Sequence, residues 1–403
     1  MYHGGQDLMK RLLSIGLCVM LVAMLFGCGQ AGDLYQAGKK SFHSGNYEDA
    51  AASFAAAVEG NPNRADYYID YGLALIKLSK YEEALAEFDK AYVSKEIIIA
   101  KRNNKRIFRG KGIAYYYMAD YEKALEQFEL ALKMKELSDL DQDILQYVGS
   151  AQMALGIYDK AVETYTDLMK YDRKSAAVYD NRALCYRYLG EYDKSQEDYD
   201  RAIVMEPRQY NHYFGKYYLL TERGDAAAAD EVLTKAAEIE AKTGEDNFQL
   251  AKLHYYQEKY DKALIELNES FADGFLEAYY YIGEIYRIKK DYPKAIYYYE
   301  NYIKESSLLS PNAYNQIAVC EMKVGEYESA LNYLEKGSAF HFAGMQKTLL
   351  RNEVVAYERL GNYQKAKEKT EEYLNLYPND EEALKEAAFI NTRLIKAVIP
   401  TEE

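Results

Sequence analysis

AAVYDNRALCYRYLGEYDKSQEDYDRAIVMEP, residues Ala176 to Pro207, carries two helical patterns in succession. Tyr179, Arg182, Ala183 and Tyr186 recur at helical spacing and share one stripe; Gly190-Glu191-Tyr192 breaks the run, and Ser195, Tyr199 and Ala202 begin another. Small residues at Ala183 and Ser195 let the two helices approach, tyrosines fill the space around them, and Pro207 cannot continue the second helix. The stretch predicts a helical hairpin. One hairpin alone has nothing to cover its apolar face, so it needs neighbours.

The chain repeats the pattern. Copies aligned on their central small residue fall at Ala50, Ala84, Ala124, Ala161, Ser195, Ala229, Ala263, Ala295, Ala330 and Ala366, in steps of 32 to 40 residues. A period of this length marks a stacked array in which each copy buries the face of the next. The sequence therefore predicts an all-α solenoid of about ten hairpins, starting near residues 31, 65, 105, 142, 176, 210, 244, 276, 311 and 347 and ending near Pro378. After Pro378, Asn379 or Asp380 is placed to cap a last helix over 381–398, with Leu384, Ala388, Ile390 and Leu394 covering the open end of the stack. Residues 400–403 are expected to fray.

The copies Gly45-Tyr47-Ala50-Phe54-Ala57-Pro62, Tyr81-Ala84-Phe88-Ala91, Tyr121-Ala124-Phe128-Ala131 and Gly190-Tyr192-Ser195-Tyr199-Ala202-Pro207 resemble the tetratricopeptide repeat. Weaker copies carry Ala226, Gly337 and Thr370 at positions where the pattern wants other residues. The resemblance implies a right-handed superhelix whose first helices line a groove for an extended peptide or a partner's helix. Carried over by position, it places toward that groove Arg109, Tyr116 and Tyr117, then Arg187 and Tyr188, Phe214 and Tyr218, Phe248 and Tyr255, Tyr280 and Arg287, and finally Arg351. Aromatic and arginine side chains anchor many interfaces, and the same residues could instead pack between neighbouring repeats. The family's two-carboxylate clamp for chaperone C-termini is not reproduced. Gln146 and Ser150 stand where Lys and Asn are needed; Asn181 fits, but Asn211 and Gly215 replace the basic pair.

The N-terminus reads as an export signal whose true start is either Met1 or Met9. Lys10-Arg11 supplies positive charge, and Leu12 to Phe26 is an apolar run shorter than the roughly 20 residues of a membrane span. It ends in Leu25-Phe26-Gly27-Cys28, which resembles the lipobox of bacterial lipoproteins and implies a lipid on Cys28, a tether over 28–30, and attachment to the outer face of the cytoplasmic membrane or to the periplasmic side of an outer membrane.

Composition narrows the partners. The 403 residues carry a formal net charge of −14, which argues against a nucleic-acid backbone and against broad adhesion to anionic lipid. Of four cysteines, Cys18 leaves with the signal and Cys28 carries the lipid; Cys185 and Cys320, four repeats apart, are expected to be small packing residues and not a disulfide. The 44 tyrosines, with no tryptophan, fit a thin core whose edges are wet.

The five histidines have no metal-ligand spacing, no Cys-x-x-Cys occurs, and no phosphate-cradling glycine loop or Gly-x-Ser-x-Gly motif is present. No catalysis, cofactor or metal is expected. The largest departure from the repeat period, around Val93 to Lys105, predicts a lengthened second helix in the second hairpin. Lys101, Arg102, Lys105, Arg106, Arg109 and Lys111 make this region basic, read either as a solvated helix end or as a dock for an acidic segment. The leading expectation is a non-catalytic scaffold that recruits a protein or peptide at the cell envelope. An assembly accessory working through the outer face, an envelope enzyme or small-ligand binder, and self-association are the alternatives.

Overall fold

The computed structural model describes residues 28–171, 175–306 and 310–398, and among them helices are the only regular secondary structure. The expected signal segment 1–27 and the terminal residues 399–403 lie outside the described residues. The chain divides into two compact units, Met1–Gln152 and Met153–Glu403.

The first unit contains α1 (Cys28–His43), α2 (Tyr47–Gly60), α3 (Ala65–Lys77), α4 (Tyr81–Ala91), α5 (Ile98–Tyr117) and α6 (Tyr121–Leu132), and most of α7 (Asp141–Ala154). In the second unit follow α8 (Tyr158–Leu168), α9 (Ala176–Tyr188), α10 (Tyr192–Met205), α11 (Tyr210–Glu222), α12 (Ala226–Ala236), α13 (Gly244–Tyr256), α14 (Tyr260–Ala272) and α15 (Glu277–Ile288). The second unit ends with α16 (Tyr292–Glu305), α17 (Pro311–Val324), α18 (Tyr327–Ser338), α19 (Ala343–Arg359), α20 (Tyr363–Leu376) and α21 (Glu381–Val398). Helix α1 begins at Cys28 itself, so residues 28–30, expected as a tether, are helical.

Each hairpin turns the same way. Between its two helices stands one residue in the left-handed region: Gly45, Ser79, Ala119, Gly156, Gly190, Gly224, Glu258, Lys290, Gly325 or Gly361. In nine of these turns the residue after it reaches back to a carbonyl five residues earlier, as in Lys80 N to Leu75 O at 2.9 Å and Glu191 N to Tyr186 O at 2.9 Å, which satisfies the last turn of the first helix.

The central small residue is buried in all ten copies. Ser195 keeps the space of an alanine because its hydroxyl donates to Ala183 O at 2.8 Å. In five copies the residue four further on is an aromatic that lies against a glycine of a first helix. A Cβ on Gly72 would stand 2.7 Å from the Phe88 ring, and one on Gly110 would meet the same ring from the next hairpin, so Phe88 is clamped between two backbones. Tyr199 against Gly215 and Tyr299 against Gly283 repeat the arrangement in the second unit.

The insertion near Val93 differs from the expectation. Helix α4 stops at Ala91 because Tyr92 is extended, at φ −68° and ψ 132°, and the extra residues form a connection and the N-terminal part of α5, the first helix of the third hairpin. Asn104 brackets that connection, donating to Val93 O at 2.9 Å and accepting from Val93 N at 3.4 Å. Of the basic cluster only Arg102 stays exposed without an ion pair among the described residues; the other five residues are paired and do not form a free dock. Lys105 is wholly buried and donates to Asp141 at 2.6 Å and Met134 O at 3.0 Å; Arg106 pairs with Asp70, Arg109 with Asp143 at 2.5 Å, Lys111 with Asp89 at 2.5 Å and Lys101 with Glu96 at 2.7 Å.

At the C-terminal end, Asp380 caps α21 by accepting from Ala383 N at 3.1 Å and from the Tyr373 hydroxyl at 2.6 Å. Ala383, Ile390 and Leu394 cover the preceding hairpin, whereas Leu384 and Ala388, expected to share that role, face outward. Cys185 and Cys320 are free and buried, and burial pushes both thiols up to about 12.

Candidate protein-binding surface

The first helices of four successive hairpins in the second unit, α9, α11, α13 and α15, present equivalent positions side by side. Counting back from each central small residue, the eleventh position is Leu184, Tyr218, Lys252 and Glu284 in turn, and the eighth is Arg187, Thr221, Tyr255 and Arg287. Three residues apart on a helix, these two positions share a face. Aromatic residues beside them close the pattern into one network.

The Tyr218 and Tyr256 hydroxyls are 2.5 Å apart, and Tyr256 continues to the Tyr281 hydroxyl at 3.2 Å. The rings meet mostly edge to face, with centroids 5.6 Å apart for Tyr218 and Tyr256 and 5.4 Å for Tyr255 and Tyr281. The Arg187 guanidinium lies 5.6 Å over Tyr218 and 5.3 Å over Tyr188. Burial pushes the Tyr255, Tyr256, Tyr280 and Tyr281 hydroxyls upward, with Glu284 adding to the rise at Tyr255 and Tyr280. These phenols therefore remain protonated at neutral pH.

Glu284 is the buried hub. It accepts from the Tyr299 hydroxyl at 2.5 Å, from Arg287 Nη2 at 2.7 Å and from the Tyr255 hydroxyl at 3.3 Å. A buried carboxylate with three donors is satisfied internally. Arg287 and Tyr255, expected to reach for a partner, are thus committed to Glu284, and Tyr280 accepts from Asn312 at 2.7 Å.

Other expected groove residues divide sharply. Phe214 and Phe248 are buried, which corrects their assignment to the binding face: Phe214 packs with Tyr210 and Tyr256, and Phe248 stacks on Phe275 at 5.6 Å. Arg351 pairs with Glu382 of α21 at 2.7 Å. In the first unit Arg109 is held by Asp143, and Tyr116 packs against Tyr121 and Tyr147, while Tyr117 is 42% exposed. Tyr188 and Tyr218 remain exposed in the second unit, at 45% and 41%.

Sequence reasoning missed Lys252. Only 8% exposed, it places its ammonium 5.2 Å from the Phe214 ring, 5.4 Å from Phe248 and 5.3 Å from Tyr281, and it has no hydrogen-bond or ion-pair partner among the described residues. Burial lowers its pKa, while Glu277 and Glu245 pull it back up. Beside it opens a cleft of about 530 Å³, lined also by Asn211, Glu245, Gln249, Glu277 and Glu305. The missed signal was the column: Tyr218, Lys252 and Glu284 are the same position in consecutive hairpins. Among the described residues no cluster of His, Cys, Asp and Glu is placed to hold a metal ion, and no helix is long and apolar enough to cross a membrane.

Family models described as tetratricopeptide repeat match residues 35–97, 109–173, 176–209, 248–308 and 354–380, together more than half of the chain. Among curated proteins, the chain is 25% identical over 205 residues to BBSome complex member BBS4 of Bos taurus and 26% identical over 246 residues to the Hsp70-Hsp90 organizing protein of Triticum aestivum. These alignments cover 50% and 59% of this chain but only 39% and 41% of those proteins, so the chain spans less than half the length of either. Among solved structures, a tetratricopeptide repeat protein from Parabacteroides merdae aligns with 62% of this chain and 94% of its own, at 19% identity and a TM-score of 0.48.

Proposed function

Because this chain belongs to the tetratricopeptide-repeat family, we propose that it is a non-catalytic scaffold that binds a protein or peptide partner along the first-helix face of its second unit. Proteins of this family mediate protein–protein interactions. The observation that carries the reading is the row from Arg187 to Arg287, in which exposed Tyr188 and Tyr218 stand on an aromatic network already fixed by Glu284. Rigid aromatic side chains lose little entropy on binding and anchor interfaces well.

We place the scaffold at the cell envelope, exported and held by lipid on Cys28. Lys10-Arg11, the apolar run over 12–26 and Leu25-Phe26-Gly27-Cys28 support this part of the reading. Intact-mass measurement of membrane-extracted protein is expected to show a chain beginning at Cys28 with added acyl mass. An uncleaved or unlipidated N-terminus rejects the anchor without touching the scaffold.

Crosslinking in native membranes, followed by recovery of the full chain, tests the scaffold. Wild type is expected to bring down a defined partner, and the double variant Tyr188→Ala/Tyr218→Ala to lose it while keeping the same helical circular dichroism. Equal recovery by both rejects this face as the binding surface. Tyr255 and Arg287 are left intact because their loss would strand the buried Glu284 carboxylate and confuse binding with folding.

A further inference from the structure

The cleft beside Lys252 has a composition that neither packing nor the tyrosine network explains. The Lys252 ammonium, on a largely buried side chain, opens onto the cleft with three hydrogen-bond donors, and none meets a protein acceptor among the described residues. The three surrounding rings solvate the charge through their faces but accept no conventional hydrogen bond. Gln249 adds a second unmet group: its amide nitrogen donates to Glu245 at 2.6 Å, while its Oε1 is shut from solvent with no donor. Native proteins leave few such atoms unmatched; Ser306 Oγ, on the same lining, is another, and together with the unpaired ammonium they point to an absent ligand.

The electrical balance of the walls narrows its chemistry. Glu245, Glu277 and Glu305 line the same cleft as the single ammonium. A purely anionic ligand would gain Lys252 and be repelled by three carboxylates; a purely cationic one would leave Lys252 unmatched. A ligand bearing both charges a few ångströms apart satisfies both, and the volume of about 530 Å³ accommodates two or three residues of an extended chain.

We propose that this cleft is a charge-pair subsite for the partner segment, seating an acidic side chain on Lys252 and a neighbouring basic side chain against Glu245 and Glu277. The inference rests on the peptide-binding reading above and gives it a sequence preference: adjoining acidic and basic residues in the interior of a segment. A carboxylate seated on Lys252 gains a hydrogen-bonded ion pair in partly desolvated surroundings, where such pairs are stronger than on an open surface.

Titration calorimetry with the full soluble chain from residue 28 tests it. The probe is an N-acetylated, C-amidated octapeptide alternating Asp and Lys, which has no terminal charge and no net charge to be steered by the acidic protein. An octapeptide alternating Asn and Gln is the uncharged control. Wild type is expected to bind the charged probe at least ten-fold more tightly than the control, and Lys252→Met to abolish that preference. Methionine keeps the length and the contacts with the rings, and the variant is expected to lose no more than about 1 kcal/mol of stability and to remain folded under the binding conditions, which separates lost binding from lost folding. Glu277→Gln is expected to weaken the charged probe several-fold. Undiminished binding of the charged probe by Lys252→Met, or no preference in wild type, overturns the subsite. The crosslinking experiment reads the scaffold separately: a partner lost in Tyr188→Ala/Tyr218→Ala while the peptide preference is absent means the scaffold stands and the subsite falls.

Discussion

Lys105 in the first unit and Lys252 in the second are both buried lysines, and the protein treats them in opposite ways. Lys105 comes from the most basic stretch of the chain, and its ammonium is fully engaged by Asp141 and Met134 O. Lys252 comes from a stretch with little charge, and its ammonium meets only aromatic faces. Dense charge in sequence is therefore no guide to open charge on the surface. Neighbouring elements supply α5 with carboxylates, and all of its cluster but Arg102 is paired. At Lys252 the fold supplies rings and leaves a cleft.

The contrast breaks most visibly on mutation. Lys105→Met is expected to destabilise the first unit by about 3 kcal/mol, because Asp141 and the Met134 carbonyl lose their buried partner. Lys252→Met removes an ammonium that is already short of partners and is expected to cost less than about 1 kcal/mol or to stabilise. Urea unfolding of both variants decides it. Similar losses would show that the two lysines are structurally equivalent and that Lys252 has a partner the geometry does not reveal.

A second test asks whether the first unit is as tightly made at its apolar contacts as at its charges. Gly72→Val is expected to cost about 2 kcal/mol, since the new side chain meets Phe88, which Gly110 prevents from retreating. Phe88→Leu in the same chain should recover part of that loss. A cycle with no coupling between positions 72 and 88 would mean that the ring is free to move.

The array of helical hairpins was legible in the sequence because central small residues recur in steps of 32 to 40 residues and six of the ten turns carry glycine. Several features were not legible, for physical reasons. Nothing in SKEIIIAKRNNKR marks where extended backbone ends, since the bracket that fixes it, Asn104 on Val93, forms only after the chain has folded. Phe214 and Phe248 occupy groove positions by counting, but Tyr256 and Lys252 of α13 close over Phe214, and Phe275 of the next connection and Lys252 of its own helix close over Phe248. Position gives the face of a helix; only the neighbours decide what stays open on it.

Like charges forced together give a third case beside the paired and the open lysine. Glu358 of α19 is pushed up to about 8, first by burial and then by its proximity to Glu386 of α21. A carboxyl raised in the folded state binds its proton more tightly there than when unfolded. It contributes stability fully below its ordinary value near 4.5 and loses that contribution as pH rises through about 8. The C-terminal hairpin and α21 are therefore expected to exchange amide hydrogens more slowly, after correction for the intrinsic rate, at pH 5.5 than at pH 8.5. Glu358→Gln should flatten the difference. A pH dependence unchanged in Glu358→Gln would assign it to other groups.

The smallest effect lies in the turns, where the two units can be compared at matched positions. Ser79 and Ala119 in the first unit, and Glu258 and Lys290 in the second, occupy the left-handed site that glycine fills in the other hairpins. A side chain there costs on the order of 1 kcal/mol in steric strain, and glycine returns part of that gain by loosening the unfolded chain. Each substitution to Gly is thus expected to raise stability by about 0.5 kcal/mol. Glu258→Gly and Lys290→Gly flank the tyrosine network and leave its hydrogen bonds untouched, so the stabilised protein should bind its partner as wild type does. Stabilisation accompanied by weaker binding would show that strain in these turns helps aim the first helices, and would tie the open face of the second unit to the geometry of its hairpins.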